Sequence, residues 1–350
     1  MGSISKSLSC VVKSLPASVI NHRGPSNKFL NTNRLLATHN GQVLKGSSCT
    51  GILKAHYTSE ANHAGSRPKF SLVTPGKLSP PRLVPEEIRA PEYYKTGRVR
   101  PVNLIEAEIK SKEQIEKMRK ACQLARTVLN EVVNRAKVGV TTDELDSFCH
   151  DLIVASGAYP SPLNYKGFPK SICTSVNNCA CHGIPDDRKL EDGDVINIDV
   201  TVYLDGYHGD CSETVMIGGV DSQAKKLVDI AKQCMYEGIN VCGPNVPFFM
   251  IGMAIQNKAE SHDLSVVPAF AGHGIGEYFH GPPDIYHFDY EYPGNMKPGM
   301  TFTVEPIISE GRGEVKILKD GWTAVTKDNA RTAQFEHTVL ITPTGFEILT

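Results

Sequence analysis

Two aspartates, Asp199 and Asp210, stand either side of Asp205-Gly206, between the run Asp194-Val-Ile-Asn-Ile-Asp-Val-Thr-Val-Tyr-Leu204 and a second β-rich run ending at Ile217. Alternating runs around an Asp-Gly pair read as a β-hairpin with a two-residue turn. In that register Thr201 faces Asp210 and Asp199 faces Ser212. The two aspartates then share one face as diagonal neighbours, roughly 7–8 Å apart at the backbone. Carboxylates aimed at one point repel unless a cation or a proton lies between them. Alone, the pair would more often be two solvated hairpin residues.

Three further strings change that balance. Ala271-Gly-His-Gly-Ile-Gly276 flanks His273 with glycines, which let backbone approach closely and leave the ring unshielded. Phe302-Thr-Val-Glu305-Pro306 puts an acid into an apolar strand, and Gln334-Phe-Glu336-His-Thr338 repeats the arrangement. Burying an unpartnered carboxylate costs several kcal/mol, about the margin of a whole domain. One such acid is explained by an ion pair. Two, beside an aspartate pair and an unshielded histidine, call for a shared positive charge. Four carboxylates and one imidazole match two divalent cations in formal charge. The oxygen-rich set admits Co, Mn, Fe(II) or Zn and does not look like the thiolate-rich site of a structural zinc. Two such ions can lower the pKa of a bridging hydroxide and polarise a carbonyl, which is the chemistry of amide or ester hydrolysis.

The elements that must hold these residues are legible around them. Ser111 with Gln114 is a capping-box pattern opening a helix with apolar Ile115, Met118, Cys122, Ala125, Leu129, Val132 and Val133. Thr141 with Glu144 opens a second helix carrying Leu145, Phe148, Leu152 and Ile153. Helical patterns also cover about 222–241 and 248–260, and strand-like runs cover 194–217, 266–272, 300–308, 314–326 and 332–342. Helices alternating with antiparallel-looking strands predict an α+β fold in one domain over residues 106–350.

The chain has 350 residues, and its formal net charge of -1 conceals two unlike pieces. Residues 1–85 hold eleven Lys/Arg and one acid, Glu60, a net +10, so the remainder carries about -11. A basic, Ser-rich, acid-poor start with no long apolar run fits an organellar transit peptide over residues 1–74. The bland alternative is a basic tail for RNA or ribosome contact. Gly2 follows Met1, but Lys6 stands where a Ser or Thr is required, so the myristoylation pattern is not met. A Pro-rich stretch over 75–105 reads as an extended linker that wraps the domain. The ten cysteines are scattered with no CxxC pair, as expected of buried, reduced thiols.

The strings NIDVTVYLDGYHGDCSE, GHGIG, TFTVEP and AQFEHT, in this order, resemble the type 1 methionine aminopeptidases of peptidase family M24 over about residues 107–350. The resemblance implies the pita-bread (creatinase/aminopeptidase) fold, a curved antiparallel sheet flanked by helices in two pseudo-symmetric halves. It implies Asp199, Asp210, His273, Glu305 and Glu336 as metal ligands, with Asp199 and Glu336 bridging and Glu305 also shuttling a proton. It assigns His182, in Cys181-His-Gly-Ile-Pro185, to the substrate nitrogen and the tetrahedral intermediate, and His280 to the scissile carbonyl. Tyr165, Phe168, Cys173, Phe279 and Trp322 match the slot for the methionine side chain, with His182 and His280 at its reactive end. An aromatic and thiol lining suits a flexible thioether.

The implied reaction is removal of the initiator methionine from nascent, deformylated proteins whose second residue is small, by hydroxide activated between two metals. A peptide deformylase would act first, since a blocked amine cannot enter. The resemblance also implies a monomer with no nucleic-acid partner and no membrane span. Departures from the family pattern are Pro162 at the pocket rim, Asn177-Asn178 ahead of the CHGIP string, and Cys211 in place of the usual Thr. With the GEYFHGPPDIYH segment and the basic leader, Asn177-Asn178 is most similar to the mitochondrial type 1D subgroup, plastid being the second choice of organelle. The rival readings are an X-Pro dipeptidase or aminopeptidase of the same fold, and a non-catalytic ribosome- or peptide-binding relative.

Overall fold

A computed structural model describes residues 70–102 and 106–350. The basic leader expected over 1–74 therefore lies, through residue 69, outside the described residues. Four helices, α1 (Lys112–Arg135), α2 (Thr142–Ala155), α3 (Ser222–Asn240) and α4 (Phe249–Glu260), pack on a curved antiparallel sheet. Both expected capping boxes are present: Ser111 and Thr141 accept from the backbone of Gln114 and Glu144, whose side chains return the bond. Each pair offsets orphan N–H groups at a helix start. The apolar stripe of α1 buries Met118, Cys122, Ala125, Leu129 and Val132, while Ile115 and Val133 are only half-buried at its edges.

The largest sheet orders its strands Tyr159–Pro160, Val195–Leu204, Tyr207–Met216, Glu336–Thr342, Thr301–Val304, Gly272–Gly274 and Gly281–Ile285. Cys173–Val176 adds to the Val195 strand and Gly345–Ile348 to the Glu336 strand. One core lies between α1, α2 and the Val195–Met216 hairpin. A second lies between α3, α4 and the Thr301 and Glu336 strands. These are the two halves of the pita-bread fold, each a helix pair backing its share of one sheet.

The hairpin has the expected register throughout, from Val195 opposite Met216 to Leu204 opposite Tyr207. Asp205 and Gly206 both take positive φ, 52° and 96°, as a type I′ turn requires. Two expected long strands are each divided. The 300–308 run is Thr301–Val304 in the large sheet and Ile307–Ser309 in a small one, parted at Glu305-Pro306. Proline has no N–H to continue a ladder, so the chain changes sheets there. The 332–342 run is likewise Thr332–Gln334 in the small sheet and Glu336–Thr342 in the large one. The 266–272 run keeps only Ser265–Val266 before Pro268 interrupts it. The 314–326 run is a hairpin, Val315–Ile317 against Ala324–Thr326. Gly281–Ile285, with two prolines, was not expected as a strand; it pairs on one side only, where proline is tolerated.

Residues 70–98 run over the domain in extended and turn conformation. Val73 N–H donates to Asn178 Oδ1 (2.8 Å), Gly76 N–H to Asp186 Oδ2 (2.6 Å), and Arg82 Nε to the buried Asp146 (3.0 Å). Among the described residues eight cysteines are free and buried. No helix among them is long and apolar enough to cross a membrane.

Helix α1 crosses directly behind Asp210. An added Cβ at Gly209 would stand 2.5 Å from the backbone of Ala121 and Cys122, so only glycine allows this approach. Gly209→Ala is expected to push α1 off the hairpin and cost about 2 kcal/mol or more, the scale of core overpacking. Urea unfolding of the two proteins measures it, and an unchanged midpoint would show the helix to be free to move.

Candidate metal centre

Asp199 sits in the middle of the Val195 strand, between Cys173 and Ser212 in register. Asp210 follows across the ladder, where the Thr201 hydroxyl donates to its Oδ1 at 2.7 Å, the orienting contact expected of a residue directly opposite. Thr338 Oγ1 fixes the Asp210 carbonyl from the next strand (2.8 Å). Glu336 enters opposite Ser212, and Glu305 follows the Thr301 strand two places after Thr303. Both glutamates lie where the chain passes from one sheet to the other, so their side chains enter the wedge where the sheets part.

His273 is delivered by a strand pressed from both sides. A Cβ on Gly272 would meet Thr303 O at 2.3 Å, and one on Gly274 would meet Pro282 O at 1.9 Å. The imidazole Nδ1 is 3.2 Å from Gly274 O. With Nδ1–H donated there, Nε2 presents its lone pair to the carboxylates, 3.6 Å from Glu305 Oε1 and 3.8 Å from Asp210 Oδ2. That is the tautomer of a metal-ligating histidine. Ligating atoms of Asp210, His273 and Glu336 lie within 4.8 Å of one another.

These residues fit a metal site by a test independent of family. Asp199 Oδ1 is buried with no hydrogen-bond partner. No lysine or arginine among the described residues pairs with any of the four acids. Burial first, and then the neighbouring acids, pushes the carboxyls of Asp210 and Glu336 well above the usual range. Burial also lifts Asp199 to about 7 and Glu305 to about 8. Desolvated, mutually repelling acids of this kind are stable as carboxylates only with a cation between them.

All twelve sequence-derived site residues line one cavity. Phe168 meets Trp322 edge-on at 5.2 Å, and Tyr165 meets Phe279 at 4.9 Å. Cys173 closes the floor in register with Asp199. His280 Nδ1 is 2.9 Å from Tyr165 Oη, and its ring centroid is 4.1 Å from that of His273. His182 takes a left-handed backbone (φ 54°) and packs edge-on against Phe270. Burial lowers His182 to about 4, and burial with the nearby His273 keeps His280 well below the usual histidine range. Both imidazoles are therefore neutral near pH 7 and able to donate from one nitrogen.

Several supporting residues escaped the sequence reading. Thr303 Oγ1 donates to Glu305 Oε1 (2.8 Å) and accepts from His273 N–H (2.9 Å), so one hydroxyl joins two of the five. His287 Nε2 accepts from Glu305 N–H (3.1 Å), and Gln334 Nε2 donates to Glu305 O (3.1 Å). His208 accepts or donates at 2.8 Å with Ser161 Oγ and stacks on Phe279. The hairpin alternation could have found His208, two residues from Asp210 on the same face. No local pattern marks His287 or Gln334. The departures also have places: Pro162 lines the rim, Asn178 holds Val73, and Cys211 is buried behind the sheet.

Comparison with known proteins points the same way. The profile of Metallopeptidase family M24 matches residues 116–343. The chain is 54% identical over 280 residues to the mitochondrial methionine aminopeptidase 1D of Danio rerio, covering 80% of this chain and 82% of the relative. It is 52% identical over 275 residues to the chloroplastic methionine aminopeptidase 1B of Arabidopsis thaliana, covering 79% and 74%. The crystal structure of methionine aminopeptidase from Rickettsia prowazekii superposes with a TM-score of 0.69 at 46% identity, covering 70% of this chain and 99% of that one. The prolidase from Pyrococcus horikoshii OT3, at 19% identity and TM-score 0.55 over 69% and 63%, shares the fold alone.

The raised carboxyls set a pH dependence for protein stripped of metal. Their folded pKa values lie above the unfolded values of about 4. The folded state thus holds more protons, and stability is greatest below pH 4 on this account and is lost as pH rises through about 7 to 8. Metal-stripped protein should accordingly melt lower at pH 8.5 than at pH 6, with divalent metal reversing the trend. Calorimetric titration at pH 7 in buffers of different ionisation enthalpy should show protons released as metal binds; a buffer-independent heat would contradict the assignment.

Proposed function

The chain belongs to metallopeptidase family M24, among the methionine aminopeptidases, and from that premise we propose that it removes the N-terminal methionine of nascent proteins whose second residue is small. The observation that carries the proposal is the meeting, on one cavity, of five oxygen and nitrogen donors with an aromatic-lined slot. Donors without the slot would support a generic hydrolase. A slot beside them selects the side chain of the residue being released.

Asp199, Asp210, His273, Glu305 and Glu336 would hold two divalent ions. When bound, the ions supply Lewis-acid polarisation of the scissile carbonyl and a lowered pKa for the attacking water. The remaining work belongs to the protein. Glu305, anchored by Thr303, takes the proton from water and passes it to the departing amine. His280 donates to the scissile carbonyl oxygen from the nitrogen not engaged by Tyr165. His182 contacts the substrate nitrogen and steadies the tetrahedral intermediate. Tyr165, Phe168, Cys173, Phe279 and Trp322 exclude water from around the methionine side chain and accommodate its thioether.

The identity of the curated relatives supports this substrate over the X-Pro alternative, with which only the fold is shared. A free α-amine at the closed end requires prior removal of any formyl group, so the reaction follows a peptide deformylase. We read the protein as a monomer. We read residues 1–74 as a leader, 75–105 as an extended segment and 106–350 as the catalytic domain. Ser71 and Val73 hydrogen-bond to Glu191 and Asn178 of the catalytic domain, so the domain's contacts begin within the stretch read as leader. The basic leader and the organelle of the type 1D relatives support a mitochondrial location, with the plastid second.

Metal-stripped protein given Mn, Fe(II), Co or Zn separately should regain release of Met from Met-Ala-Ser and not from Met-Lys peptides. Asp210→Ala and Glu336→Ala should each lower this activity about a thousandfold or more, at least the scale of removing a transition-state stabiliser. Turnover of X-Pro without Met-Ala-Ser would replace this reading by the prolidase one.

A further inference from the structure

The segment of residues 70–98 has no part in the reaction as described, yet one of its side chains reaches the wall of the methionine slot. We propose that Tyr93 is a positioning residue of that slot, holding Tyr165 in place and, through Tyr165, orienting His280. The inference rests on the functional reading above and concerns side chains of this chain alone.

Around Tyr93 the segment is folded by its own hydrogen bonds. Tyr94 N–H donates to Pro91 O (3.1 Å) and Gly97 N–H to Tyr93 O (2.7 Å), with Gly97 at φ 65°. Tyr93 is only 3% exposed, and its hydroxyl donates to Ser161 O at 2.6 Å. Its ring meets Tyr165 edge-on, centroids 5.1 Å apart at 82°. The carbonyl of Tyr94 accepts from Asn164 Nδ2 (2.8 Å). The segment therefore grips the stretch 161–165 at both ends.

Two routes lead from that grip to the reactive end of the slot. Tyr165 reaches His280 Nδ1 through its hydroxyl (2.9 Å) and Phe279 through its ring. Ser161, whose carbonyl accepts from the Tyr93 hydroxyl, places its own hydroxyl 2.8 Å from His208 Nδ1. His208 in turn stacks on Phe279 with ring centroids 5.1 Å apart at 11°. Both routes end on the adjacent pair Phe279–His280.

The grip is needed because the loop it holds is strained. Asn164, Lys166 and Gly167 all take positive φ, 58°, 48° and 86°. A lysine in the left-handed region is disfavoured and persists only where its surroundings over-determine it. Tyr165 sits between these residues, so its hydroxyl direction depends on the loop keeping its shape. When that hydroxyl donates to His280 Nδ1, the imidazole retains Nε2–H for the substrate carbonyl. A wandering Tyr165 would blunt both the packing against methionine and this tautomer.

The test uses the full chain loaded with metal, in parent, Tyr93→Phe and Tyr93→Ala forms, with steady-state kinetics on Met-Ala-Ser and Leu-Ala-Ser and a melting curve for each. Tyr93→Ala should lower the preference for Met over Leu about tenfold, the scale of altered packing in an apolar pocket. Tyr93→Phe, which keeps the ring, should retain most of that preference and show a raised KM. A lowered melting temperature with parental KM, kcat and Met-over-Leu ratio would make Tyr93 merely structural and overturn the proposal. Hydrogen exchange at the amides of residues 163–168 gives a readout independent of turnover. Faster exchange there in both variants is expected even if the parent fails to cleave Met-Ala-Ser, a result that would refute the functional reading and leave the positioning role standing. If Tyr93→Ala does not fold, Tyr93→Phe and Tyr93→Leu carry the same comparison, and unchanged exchange in either overturns it.

Discussion

Four carboxyl groups and an imidazole forced into one desolvated wedge are the constraint around which the molecule is arranged. Removing a carboxylate from water costs several kcal/mol, and setting it beside others of like charge adds to that cost. An unpartnered Asp199 oxygen and acids that prefer to stay protonated show the cost left standing in the protein itself. Divalent cations remove it by neutralising the charge that burial opposes. Metal affinity, proton release and stability are thus one linked equilibrium here.

The fold holds that cost by making the site the place where sheets separate. A flat sheet presents side chains on parallel lines that do not converge. Glu305 and Glu336 escape this because each lies at the break between a large-sheet strand and a small-sheet strand. Pro306 enforces one break, and the two helix pairs pressed on the sheet maintain its curvature. Glycine at 209, 272 and 274 sets how near backbone can come to backbone around the wedge. Threonine hydroxyls from 201 and 338 hold Asp210 at its carboxyl and at its backbone carbonyl, and that of 303 holds the carboxyl of Glu305. These three threonines belong to strands of the large sheet, not to loops.

The substrate side is built differently. Its aromatic wall rests on a left-handed loop, on His208 inside the hairpin, and on an extended segment from the front of the chain. A strained loop holds its shape only as well as its clamps do. Selectivity for the side chain released and the orientation of His280 therefore both draw on residues far in sequence from the hairpin that carries Asp199 and Asp210.

Much of this was legible before any coordinates. Asp205-Gly206 dictates a type I′ turn, which dictates the register, which puts Thr201 opposite Asp210 and leaves Asp199 on the same face. Period-two alternation carries that information in a dozen residues. The capping boxes at Ser111 and Thr141 mark helix starts by equally local chemistry. Resemblance in four short strings extended the reading to His182, His280 and the slot. What remained illegible was everything set by distance: the division of two strands between sheets, the edge strand Gly281–Ile285, and the reach of Tyr93, His287 and Gln334 into the site. Hydrogen bonds such as Gln334 to Glu305 and Tyr93 to Ser161 join residues 29 and 68 places apart, and no local pattern encodes such a meeting. The sequence by itself determined which groups are candidates for the chemistry. Packing of helices against a curved sheet decided how closely they meet and what holds them there.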